Sequence, residues 1–138
     1  SMTPCAVERR ADWRERLAAL LDERRRYGFA FGRFDCCLWA ADAVEAMTGV
    51  DFIADYRGYA TAKGAMRRLK RAGVTSVFAF VDARFPRVER ARQGDLVGVP
   101  AAPLDALMIA DGSTSAWGQD EAGLVRFAIP PGAIIWSV

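Results

Sequence analysis

The stretch FGRFDCCLWAAD, Phe31 to Asp42, decides how the chain is read. A glycine-interrupted aromatic loop runs into a segment where Leu38, Ala41 and Val44 recur at helical spacing. Asp35 stands where an N-cap belongs, because its short carboxylate can accept backbone N–H groups that a first turn leaves without partners. The pattern predicts a helix from Cys36 to about Met47, closed by Thr48-Gly49. Cys36 then falls in the first turn, where free N–H groups and the macrodipole supply about half a positive charge. Such a site lowers a thiol from its ordinary pKa of about 8.5 and favours the nucleophilic thiolate. Cys36 is therefore the candidate nucleophile. The position also suits a small core residue, since free cysteine is among the most buried types. Asp35 opposes a thiolate unless capping turns its carboxylate away.

Outward from this helix the chain has two grammars. Trp13, Leu17, Leu20 and Leu21 predict an amphipathic helix over residues 8–26, stopped by Gly28. Thr61 is placed to cap a third helix that runs to about Ala72 and ends at Gly73. A short helical turn is expected over Ser76–Ala83, and Pro86 breaks it. After Arg92 the pattern becomes short apolar runs between Gly, Pro and Asp. Strands are expected at Asp95–Val99, Ala106–Ala110, Thr114–Trp117, Gly123–Ile129 and Ala133–Val138. Helices followed by about five closely spaced strands predict an α+β fold with an antiparallel sheet. The 138 residues, without repeat or low-complexity linker, suit a single domain over 1–138. Ser1 reads as a tag remnant ahead of an initiator Met2.

Composition narrows the function classes. Hydrophobic content of 52% and charged content of 26% are globular values. No apolar run approaches a membrane span, so no membrane segment is expected. Net charge is +2, too small to imply a nucleic-acid partner. Residues 1–73 hold 14 Lys and Arg against 10 Asp and Glu, with basic runs at Arg24-Arg25-Arg26 and Arg67-Arg68-Leu69-Lys70-Arg71. These read as solvated helix faces. Cys5, Cys36 and Cys37 are odd in number, and two are adjacent, so free thiols are expected rather than a disulfide framework. With no histidine in the chain, no zinc site and no cofactor are expected. Asp35 and Cys37, beside the sulfur, are candidate binding residues. Tyr56, Arg57 and Tyr59 are candidates for an exposed recognition loop. The aromatics Tyr27, Phe29, Phe31 and Phe34 are expected to pack on the sheet or to line a groove, and Trp136 to pin the last strand to the core.

Asp35-Cys36 at a helix start, followed downstream by Arg92-Gln93-Gly94-Asp95-Leu96-Val97-Gly98-Val99, resembles the Asp-Cys nucleophile motif and the Gly-Asp-Leu-Val strand of NlpC-type cell-wall peptidases. The chain is more closely similar to a family of small phage and prophage proteins related to them. The shared elements are Trp13 and Leu17, Phe31 to Cys36, Thr48-Gly49-Val50-Asp51, Arg57 to Thr61, the Gly-Asp strand and Trp136. The resemblance implies a papain-like fold, with the Cys-bearing helix packed on the sheet. It also implies phage tail proteins or cell-wall peptide as partners. Location would be cytoplasmic on synthesis in a bacterial host, with later association with the virion.

One departure bears on activity. The peptidases carry a catalytic histidine at the start of the strand that here reads Leu104-Asp105-Ala106-Leu107-Met108-Ile109-Ala110. Leu104, or Asp105 one residue on, takes its place. General acid–base assistance is typically worth 10²–10⁴ in rate, and a carboxylate is too weak a base to ionise a thiol. The expectation is a tail-associated protein without peptidase activity. The alternative is a working hydrolase of cell-wall peptide with Cys36 as nucleophile.

Overall fold

In a computed structural model of the chain, residues 7–138 are described; Ser1, Met2 and Cys5 lie outside the described residues. Among the described residues are four α-helices, one 3₁₀ turn and six strands. The helices are α1 (Trp13–Arg24), α2 (Cys36–Thr48), α3 (Ala62–Arg71) and α4 (Val77–Asp82), with the 3₁₀ turn at Ala54–Tyr56. The strands are β1 (Arg87–Val88), β2 (Leu96–Val99), β3 (Ala106–Ala110), β4 (Ser115–Asp120), β5 (Gly123–Ala128) and β6 (Ile134–Trp136). They form one antiparallel sheet in the order β1-β6-β2-β3-β4-β5.

The predicted α+β layout holds, with two corrections. The sheet has a sixth strand, because β1 pairs β6 at Arg87↔Trp136 and Val88↔Ile135. Two residues after a proline carry no readable alternation. The first helix is shorter than 8–26, since the segment before it is tied to other parts of the chain. Arg10 N–H donates to Met47 O at 2.7 Å, and the Arg9 side chain donates to Val138 O, Gln93 O and Asp95.

Local signals explain the other helix ends. Asp35 caps α2, Thr61 caps α3 through Gly64 N–H at 3.0 Å, and Ser76 caps α4 through Ala79 N–H at 3.1 Å. Gly49 closes α2 in the left-handed region at φ 82°, where a side chain would be strained.

Helix α2 is the centre of the core. Trp39, Ala40, Ala43, Val44 and Met47 are fully buried against Leu96, Leu107, Ile109 and Trp136. Alanines on this face let the helix sit close to the sheet. Trp136 is buried as expected, and Gly98 makes room for it: a Cβ there would lie 2.7 Å from the Trp136 ring and from Phe78. The opposite sheet face carries a second cluster of smaller residues, among them Val97, Met108, Ala110 and Ile135.

Two surface expectations are corrected. Arg24 is not solvated but 5% exposed, donating from Nη1 to Asp42 Oδ2 at 2.6 Å, with its guanidinium 5.1 Å from the Phe34 ring centre. The cation faces both a carboxylate and a ring, which offset part of its desolvation, while Nε and Nη2 are buried without a hydrogen-bond partner among the described residues. Tyr27 and Phe29 are 42% and 41% exposed instead of packed on the sheet, although Tyr27 stacks on Phe34 and Phe29 meets Phe31 edge to face.

Candidate functional site: a thiol at the start of helix α2

Asp35 is 3% exposed, and its carboxylate is saturated. Oδ1 accepts from Leu38 N–H at 2.9 Å; Oδ2 accepts from Gly32 N–H at 2.9 Å and from Tyr59 O–H at 2.8 Å. Capping thus turns the charge toward donors of the loop and the first turn. Gly32 is required for this arrangement: its φ is +81°, and a Cβ there would collide with the Tyr59 carbonyl oxygen. The glycine, the aspartate and the tyrosine bind the aromatic loop, α2 and the segment before α3 together.

Cys36 follows as the first helical residue and is half-buried. Its Sγ lies 3.9 Å from the carbonyl oxygen of Asp105, to which the thiol donates. The neighbouring Cys37 thiol lowers the Cys36 pKa from its ordinary value. The Leu107 and Cys37 N–H groups act in the same direction, while burial and the Asp35 charge oppose them. Cys37 moves the other way: the Cys36 sulfur beside it, burial and nearby negative charge push its pKa well up. Two adjacent thiols are thus pushed in opposite directions, Cys36 down and Cys37 up.

A cleft reaches that sulfur. Strand β4 pairs β5 along its whole length from Ser115 to Asp120, whereas β3 and β4 pair at Ile109↔Trp117 and Ala110↔Ala116. The two strands part toward Ala106 and Asp120. A cavity of about 250 Å³ opens there, lined by Cys36, Ala106, Leu107, Met108 and Gln119 among others. Gln119 was not anticipated. Its Nε2 donates to Tyr27 O at 2.8 Å and Asp120 O at 2.9 Å, and its Oε1 is buried without a hydrogen-bond partner among the described residues. Its proximity follows from the register of β4 against β3, which no local pattern encodes.

The remaining candidate residues are engaged within the chain. Arg57 joins two carboxylates: Nη2 donates to Asp42 at 2.6 Å and Nε to Asp51 at 2.7 Å. Burial alone would lower the Arg57 pKa, but these two hydrogen bonds carry it upward. With Arg24 the result is a chain of four alternating charges, Arg24–Asp42–Arg57–Asp51. Burial, then the Asp35 charge, raise the Tyr59 hydroxyl far above its ordinary value, so it stays a donor. Tyr56 packs edge-on against Phe80 with ring centres 4.9 Å apart. The loop is half-buried rather than exposed, so it braces the Asp35 side of the site.

No group of three or more His, Cys, Asp or Glu side chains placed to hold a metal occurs among the described residues. No helix there is long and apolar enough to cross a membrane.

The arrangement makes a testable statement about the sulfur alone. Only the thiolate is alkylated, so a lowered pKa moves the half-maximal alkylation rate to lower pH. Iodoacetamide labelling from pH 6 to pH 10, resolved by peptide mapping, should give Cys36 a midpoint below that of free cysteine, with Cys37 lagging. Equal reactivity of the two thiols would contradict the assignment.

Fold and site together define a small α+β domain in which a helix bearing a thiol at its first turn packs on an antiparallel sheet. The chain belongs to the family described as Domain of unknown function (DUF6950), whose profile matches residues 8–138. No curated protein and no solved structure matches it.

Proposed function

We propose that this chain is a non-hydrolytic, tail-associated protein of a phage or prophage, built on a scaffold of the NlpC-type papain-like kind. The scaffold half of the reading is supported by the motif resemblance and by the position of Cys36 at the head of a sheet-packed helix. The inactivity half rests on one observation. Among the described residues, the groups about the Cys36 sulfur are the Asp105 carbonyl oxygen that accepts from it, the Cys37 thiol and backbone N–H groups, in a chain that contains no histidine. Amide cleavage needs a proton delivered to the departing nitrogen, and none of these groups delivers one at neutral pH. Partners on this reading are tail proteins, and the site of action is the assembling virion.

The test is incubation of the purified protein with peptidoglycan and with soluble muropeptides, followed by chromatography and mass spectrometry. Unchanged muropeptides are expected. Efficient cleavage that Cys36→Ala abolishes would overturn the proposal.

A second reading, a cysteine hydrolase or acyl-transfer enzyme acting on cell-wall peptide, is favoured by the cleft of about 250 Å³ that opens onto Cys36. It requires a base supplied by a partner subunit or by a group other than imidazole. Cys36 alkylation at pH 6–7 no faster than that of a model peptide counts against it.

A further inference from the structure

Helix α3 carries five cations, Lys63, Arg67, Arg68, Lys70 and Arg71, and no acidic residue. The rest of the chain holds 14 basic against 17 acidic side chains, so the positive charge is local to this element. None of the five takes part in an ion pair among the described residues, whereas Arg9, Arg24, Arg57, Arg87 and Arg126 each meet an aspartate. Lys63, Arg67 and Arg71 follow one another at i, i+4 spacing, a mildly unfavourable like-charge arrangement that makes a continuous cationic track along the helix.

The inner face of the same helix covers a second cavity, which backs onto the cleft at Cys36 through Cys37 and Leu107. It measures about 50 Å³ and has an almost wholly apolar wall that includes Tyr56, Tyr59, Leu69, Phe80 and Leu104, with Arg68 as the one cation. Small-molecule sites typically run to roughly 300–1,000 Å³; this one matches a single aliphatic side chain. Arg68 is half-exposed, and Arg71, one turn further on, is exposed. On a helix surface residues three apart are neighbours, so an apolar hole and a cationic track adjoin.

We propose that α3 and the Tyr56–Tyr59 loop form a docking surface for an acidic peptide segment of a partner protein. One aliphatic side chain of the segment seats in the cavity beneath α3, and its carboxylates lie on Arg67, Arg68 and Arg71. The charge selects acidic over basic segments, and the cavity selects among acidic ones. A nucleic acid would use the cations but not the apolar hole, which therefore favours a peptide.

The probe is a fluorescein-labelled, Asp/Glu-rich nonapeptide with a central leucine, followed by fluorescence anisotropy at low and at physiological salt. Controls are the same peptide with central serine, a Lys-rich counterpart and a labelled duplex DNA of mixed sequence. The leucine peptide should bind, more weakly as salt rises. Exchange of leucine for serine should weaken it about tenfold, as should the double variant Arg68→Gln/Arg71→Gln. A circular-dichroism melt matching that of the unmodified protein verifies that this variant is folded. Absence of binding to the leucine peptide, equal binding of the leucine and serine peptides, or tighter binding of duplex DNA would each overturn the proposal.

Discussion

Replacing Asp95 by Ala lowers the stability of the protein by about 3–5 kcal/mol, the range seen when one partner of a buried ion pair is removed. Asp95 is fully buried in the Gly-Asp-Leu segment, and it gathers three separate parts of the chain. Oδ1 accepts from Arg9 Nη2 at 3.1 Å and from Val138 N–H at 3.1 Å, and Oδ2 accepts from Arg92 N–H at 2.9 Å. Truncation leaves two backbone donors and a half-buried guanidinium without their acceptor. Burial already lowers the Arg9 pKa, and the Asp95 charge is what opposes it. Asp95→Asn keeps one accepting oxygen and should lose less. Urea unfolding of both variants measures the difference. A loss below about 1 kcal/mol, the value of an exposed pair, would show that the segment before α1 and the C-terminus are not held through this carboxylate.

Asp35→Ala should cost about 2–4 kcal/mol, combining loss of an N-cap with loss of two further charge-assisted hydrogen bonds. The variant leaves Gly32 N–H, Leu38 N–H and the Tyr59 hydroxyl without their acceptor. Asp35→Asn separates the structural from the electrostatic role. It retains an oxygen for Leu38 N–H, and it removes a negative charge that raises the Cys36 pKa. Its stability loss should be smaller, and the midpoint of Cys36 alkylation should move further down. A midpoint that moves up instead would mean that the cap geometry, not the charge, governs the sulfur.

How far the sequence carries depends on the range of the interaction concerned. Helix α2 was legible from Asp35 to Gly49 because both ends are made by side chains and dihedrals within a few residues of each other. The cap at Thr61 was legible for the same reason. Strand β3 matched its expected bounds because an apolar run between turn residues is a local pattern. Arg24 was misread as solvated because the carboxylate and ring that bury it, Asp42 and Phe34, become its neighbours only when α1 packs on α2. Strand β1 had no signal in two residues; its partner Trp136 is 49 positions away in sequence.

The site divides in the same way. Cys36 at a capped helix start was readable, but its acceptor, the Asp105 carbonyl, is 69 positions along the chain. Gln119 enters the cleft through strand register alone. The Tyr56–Tyr59 loop was expected to stand free because its residue types suit recognition. Arg57 and Tyr59 instead pair with the half-buried carboxylates of Asp42 and Asp51 and the buried carboxylate of Asp35, so the loop is drawn inward.

The claim that the Cys36 sulfur is reactive while the chain lacks its proton relay is tested most directly by comparing two leaving groups. A p-nitrophenyl ester releases a phenolate that departs without being protonated, whereas the matching p-nitroanilide needs a proton on nitrogen. The expected result is acylation of Cys36 by the ester, read as release of about one equivalent of p-nitrophenolate and one acyl group on the Cys36 peptide, with no hydrolysis of the anilide. Repeated turnover of the anilide that disappears in Cys36→Ala would contradict the account.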